Sequence, residues 1–115
     1  MTLGNIVSIL GLEVLTPELP VGGAEVIRGH ASDLLGDALA NAPTGGILLT
    51  IQVHMNVVSV ALHAGLAAAV FTQRPEELVR ARAVREGLPL LSLNESTFEL
   101  AGRLCVLGLR GRGQE

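Results

Sequence analysis

Residues 46–91, GILLTIQVHMNVVSVALHAGLAAAVFTQRPEELVRARAVREGLPLL, decide the fold. Three short apolar runs, 46–52, 66–71 and 88–91, alternate with two stretches of helical character, 56–64 and 75–86. An apolar run without polar alternation reads as a strand buried on both faces, and strands separated by helices at this spacing make crossover units of a parallel sheet. Local chemistry marks the boundaries. Pro75 suits a first helical turn, Glu76 and Glu77 favour the positive end of the helix dipole, and Arg80, Arg82 and Arg85 favour the negative end. Gly87 and Pro89 close that helix.

Outward from this segment the same signals recur more weakly. Ser96 and Glu99 have the spacing of a capping box and open a helix to about residue 107, with Gly108 as its stop. Toward the amino terminus, residues 3–10 fit a helix between Thr2 and Gly11, residues 13–15 a brief strand, and residues 25–29 a second one. Pro17, Pro20, Gly22 and Gly23 form a turn-rich stretch between them. Ser32 or Asp33 is expected to cap a helix to about Asn41 whose apolar face is Leu34, Leu35, Ala38 and Leu39. The end RGRGQE, 110–115, reads as a mobile tail after one domain covering 1–109.

Composition narrows the class. A chain of 115 residues buries roughly 65% of its unfolded surface and so holds a core without staples. Half the residues are apolar, 49%, yet the only aromatics are two Phe, so Ala, Val and Leu build the core. Their excess over the needs of a small core predicts surface hidden in a homo-oligomer, a dimer first. Eight Arg against 11 acidic residues, with no Lys, leave no basic face for nucleic acid. The apolar run 55–71 is too short to span a membrane and is broken by Gly65, and the start of the chain lacks the cationic region of a signal peptide. The lone Cys105, flanked by Leu104 and Val106, reads as a buried structural thiol in a reducing, cytoplasmic setting.

Several short motifs occur in order: Ser32-Asp33-Leu34-Leu35 with Asp37, the pair Asn41-Ala42, Thr50-Ile51-Gln52 followed by His54 and Asn56, and Ala101-Gly102-Arg103-Leu104. Together they resemble the DRTGG domain family, in particular its small stand-alone members, over roughly residues 10–110. Where that family's naming string stands, this chain has Val26-Ile27-Arg28-Gly29-His30. The resemblance implies an α/β fold, a three-layer α/β/α sandwich with a mostly parallel central sheet, like the amino-terminal domain of HPr kinase/phosphorylase. It further implies a regulatory or assembly role beside a partner enzyme, without a chemical activity of its own.

A kinase of the HPr type needs a P-loop with its Lys, and this chain has neither. No cofactor is expected. His30, Asp33 and Asp37 would share a helix face only if that helix began before His30, so no metal site is expected either. The candidate site is instead a rim. In a parallel sheet Gln52, His54 and Asn56, Thr72 and Gln73, and Ser92 and Asn94 all follow the carboxyl ends of strands, where open α/β sheets receive ligands. Two readings compete for them: a pocket for a small anionic or nucleotide-like ligand, or the capping of helices, with Asn56 and Asn94 as N-caps, and bonds across a subunit seam. An alternative makes His54 the general acid or base of a small enzyme.

Overall fold

The computed structural model describes residues 1–111. Ten elements follow one another: α1 (Leu3–Leu10), β1 (Glu13–Val14), β2 (Gly29–Ala31), α2 (Leu35–Asn41), β3 (Ile47–Thr50), α3 (Asn56–His63), β4 (Ala68–Phe71), α4 (Glu77–Glu86), β5 (Leu90–Ser92) and α5 (Thr97–Val106). The sheet runs β1-β5-β4-β3-β2. β2 to β5 are parallel in sequence order, and only β1 runs antiparallel, against β5 at one edge.

Alternation along each strand sorts the core into two layers. Ile47, Leu49, Ala68, Val70 and Leu91 face α1 and α5, which contribute Leu3, Ile6, Leu10, Leu100 and Leu104. Leu48, Ala69, Phe71 and Leu90 face the opposite way and pack with Ala38 of α2, Val57, Val58 and Ala61 of α3, and Val79 and Ala83 of α4. β3 and β4 are buried at every position, as a strand covered on both faces must be. The result is the expected α/β/α sandwich. Helices α2, α3 and α4 lie on one face because each links two neighbouring parallel strands by a crossover of the same hand.

The helix ends follow the sequence where a side chain acts locally. Thr2 Oγ1 accepts from the Asn5 amide at 3.2 Å, Ser96 Oγ accepts from the Glu99 amide at 3.2 Å, and α1 and α4 end in left-handed Gly11 and Gly87. Three expectations require correction. The second strand begins at Gly29, not residue 25, because Glu25 bridges to Thr2 instead of joining β3, and its carboxylate takes the Met1 amino group. Neither Ser32 nor Asp33 caps α2, which starts after Leu34 without a side-chain cap; Leu34 and Leu39 are exposed and Ala38 alone of that face is buried. Cys105 is exposed, since α5 buries the i, i+4 pair Leu100 and Leu104 and turns the residue after Leu104 outward. At the carboxyl end, the Arg110 carbonyl accepts from Gly29 N at the start of β2 and its amide donates to Ile27 O just before that strand, while the Arg28 guanidinium donates to Gly111 O at 2.7 Å. The rest of the expected tail, residues 112–115, lies outside the described residues.

Two groups of polar contacts tie helices to other parts of the chain. Arg80 of α4 reaches Glu77 at 3.0 Å, Glu18 at 2.9 Å and the Leu15 carbonyl at 3.2 Å, tying the helix to the segment after β1. On the other side His30 Nε2 of β2 lies 2.8 Å from Asp37 Oδ2 of α2, and Asn41 Nδ2 donates to Asp37 Oδ1 at 2.8 Å. The hydrogen bond with His30, with further bonds from Asn41 and Ser32, holds the Asp37 carboxyl down at about 2, from an ordinary value of 3.8. A carboxyl held low when folded stabilises the fold above its unfolded value, and that contribution drains away as pH falls from 3.8 toward about 2. Acid titration followed by thermal melts is expected to show wild type more stable than Asp37→Asn above this window and the two converging within it. A gap between them that does not change with pH would contradict the assignment.

Candidate functional site

The parallel register places Thr50 beside Phe71 and Phe71 beside Ser92, so β3, β4 and β5 all end at one rim of the sheet. Helices α3, α4 and α5 each begin shortly after one of these strands and so have their amino ends on that side. The polar residues after the strands nevertheless divide into two groups with different work.

After β3 the polar groups are turned on one another. The Asp33 carboxylate Oδ1 accepts from the Ile51 amide at 2.9 Å and from the fully buried Thr50 hydroxyl at 3.2 Å. Gln52 donates its side-chain amide to the Asp33 carbonyl at 3.0 Å and its backbone amide to Thr50 Oγ1 at 3.1 Å. His54 Nδ1 accepts from the Asn56 amide at 3.1 Å, which satisfies one of the free donors at the start of α3. Asn56 is therefore not the N-cap: it is the first helical residue, and Met55, which occupies the cap position, contributes no side-chain bond. Polar residues at every second position here fasten the strand end to the start of α2 and to α3.

After β4 and β5 the arrangement is open. Thr72, Gln73 and Arg74 from one strand end and Ser92, Leu93 and Asn94 from the next line a cleft of about 330 Å³. Gly11 and Glu13 close its far side. They are brought there by the antiparallel pairing of β1, which sets Glu13 opposite Ser92. Thr72 and Ser92 are buried, with 8% and 7% of their surface exposed, while Gln73, Arg74 and Asn94 are exposed. Among the described residues the Thr72 and Ser92 hydroxyls make no hydrogen bond, and neither oxygen is sealed from solvent, so both are open at the cleft. At the cleft Arg74 Nη1 meets Glu13 Oε2 at 2.6 Å, an ion pair with both side chains more than half exposed and therefore cheap to open.

Of the residues singled out by sequence, the structure gathers Thr72, Gln73, Ser92 and Asn94 in one cleft and places Gln52, His54 and Asn56 outside it. Asn94 does not cap α5, because Ser96 does. Glu13 and Arg74 were missed, and no local signal marks them: their meeting spans 61 positions and depends on an edge strand of two residues. The His54 imidazole has only the amide of Asn56 as a hydrogen-bond partner among the described residues, and no carboxylate, Ser or Cys side chain is hydrogen-bonded to it. His30 and Asp37 pair with each other while Asp33 serves β3, and no group of three metal-ligating side chains is found among the described residues. Among these residues, too, no helix is long and apolar enough to cross a membrane. Comparison with family models and with curated proteins finds no match to this chain.

Proposed function

We propose that this chain is a non-catalytic regulatory or assembly module that binds a small anionic ligand in the cleft after β4 and β5 and works as a homo-oligomer beside a partner enzyme. The observation that carries the ligand reading is the pair of hydroxyls, Thr72 and Ser92, which make no hydrogen bond among the described residues and, in residues otherwise largely buried, keep their oxygens open at the cleft wall. A hydroxyl open at a cleft and bonded to no protein group is free to donate to a ligand oxygen in place of water. Arg74, the cation of the cleft, is held by an exposed carboxylate that an incoming anion would displace. Gln73 and Asn94 add donors and acceptors at the rim. A volume near 330 Å³ is at the small end of ligand sites and suits a phosphate, an acyl phosphate or part of a nucleotide. The regulatory role and the partner enzyme rest on the resemblance to DRTGG domains, as does a cytoplasmic setting for such a module.

Thermal melts with inorganic phosphate, acetyl phosphate and a panel of nucleotides test this. A ligand present at about ten times its dissociation constant adds about 1.4 kcal/mol, a rise of about 5 °C for a chain of this size. Arg74→Ala, and separately Thr72→Val with Ser92→Ala, are expected to abolish that rise while His54→Ala leaves it in place. A flat response to every anion would overturn the ligand reading.

A further inference from the structure

We infer that the ligand of the cleft carries an ammonium group beside its anionic one, as an amino acid or the phosphate ester of an amino alcohol does. The inference rests on the anion reading of the cleft and names the ligand class for that same site. Among the described residues that line the cleft, Arg74 is the one cation and Glu13 the one anion, so the formal charges of the lining cancel. The next charged residues along the chain after Glu13, Arg74 and Asn94 are Glu18, Glu76 and Glu95, all acidic. A site for a purely anionic ligand is expected to carry an excess of positive charge. This one offers one charge of each sign.

Topology sets these two charges on opposite sides of one strand. The sheet order β1-β5-β4 puts β5 between the strand that carries Glu13 and the strand that Arg74 follows. Neighbouring strands lie about 4.8 Å apart, so the two backbones stand roughly 10 Å apart and the side chains meet by reaching over the end of β5. Ser92 ends β5 opposite Glu13 and Thr72 follows β4, so the open hydroxyls belong to the strand ends that this ion pair crosses. An anion that draws Arg74 away leaves the Glu13 carboxylate unpaired and close to a like charge, which opposes binding. An ammonium group on the same ligand removes that opposition. Its anionic end takes Arg74 and the hydroxyls, its ammonium end takes Glu13, and both halves of the original ion pair are replaced. Both side chains are more than half exposed, so they are free to separate around a ligand whose charged ends stand a few bonds apart.

Calorimetric titrations with two matched pairs test this: ethyl phosphate against O-phosphoethanolamine, and succinate against aspartate, the second compound of each pair adding the ammonium group. In wild type the ammonium-bearing member of at least one pair is expected to bind about three- to tenfold more tightly than its counterpart. The pair that responds tells a phosphate from a carboxylate as the anionic end. Glu13→Gln keeps the side-chain length and the backbone pairing of β1 with β5. It is expected to abolish the preference while the ammonium-free compound still binds, which separates a lost charge from a lost fold. Equal binding within both pairs in wild type, or a preference that survives in Glu13→Gln, would overturn the inference and leave the anion cleft standing. Binding of inorganic phosphate or a nucleotide with none of these four compounds would do the same. No binding by any anion would overturn the reading of the cleft and this inference with it.

Discussion

Phe71→Ala is expected to lower the melting temperature by about 12–20 °C, the equivalent of about 3–5 kcal/mol for deleting a buried aromatic side chain. Phe71 ends β4 at the centre of the sheet and is fully buried between α3 and α4. The side chains that α2, α3 and α4 bury in this layer are small, Ala38, Ala61, Ala83, Val57, Val58 and Val79, with leucines coming from the strands and loops. Those side chains are too short to collapse into the space a missing ring leaves, so most of the cavity cost persists. Against a total of about 5–15 kcal/mol for a domain of this kind, the loss is large. Circular dichroism melts measure it, and a fall of less than about 5 °C would mean that the ring does not occupy the position assigned to it.

Gly46→Ala is expected to cost about 3 kcal/mol, toward the upper end of the range for overpacking. An added Cβ would lie 2.9 Å from the Arg28 carbonyl oxygen and 3.0 Å from that of Pro43. Both neighbours are backbone atoms already in use: the Arg28 oxygen accepts from Ile47 N and the Pro43 oxygen from Gly46 N. Gly46 O in turn accepts from Ala67 N, so any shift is felt at the entry to β2, β3 and β4 together. Gly36→Ala is the internal control. It stands in α2 with nothing within 4 Å of the added carbon, where alanine favours the helix by roughly 0.5–1 kcal/mol. Urea unfolding of the two variants should therefore give opposite signs with similar slopes, and equal effects would contradict the packing at Gly46.

The parts of the fold that were legible in sequence are those whose cause is local. Continuous apolar runs announced β3 and β4, and Thr2 and Ser96 announced the starts of α1 and α5, because a strand buried on both faces and a capped helix are written within a few residues. Misreadings arose where a distant partner decides. The alternating stretch at 25–29 looked like one strand, but its first part serves the amino terminus and its last part serves β3. Asp33 looked like a helix cap, and its carboxylate instead holds the end of a strand 17 residues later. Cys105 took its apparent burial from an apolar neighbour on either side, whereas a helix turns through about 100° per residue and Val106 is itself exposed.

The candidate site divides along the same line. That polar residues would collect at one rim followed from parallel strands alone. Which of them would be free depended on tertiary contacts: Asp33 and the start of α3 absorb Gln52 and His54, while the edge strand β1 walls off the ends of β4 and β5 as a cleft.

The cleft is the centre of the account, and nuclear magnetic resonance tests it residue by residue. Isotope-labelled protein titrated with inorganic phosphate, and in parallel with acetyl phosphate, is expected to show saturable amide shifts in at least one series. They should centre on residues 72–74 and 92–94, with Gln52, His54 and Asn56 nearly still. Shifts centred on residues 52–56, or no saturable shift with either anion, would contradict the claim that the unpartnered hydroxyls of Thr72 and Ser92 form an anion site.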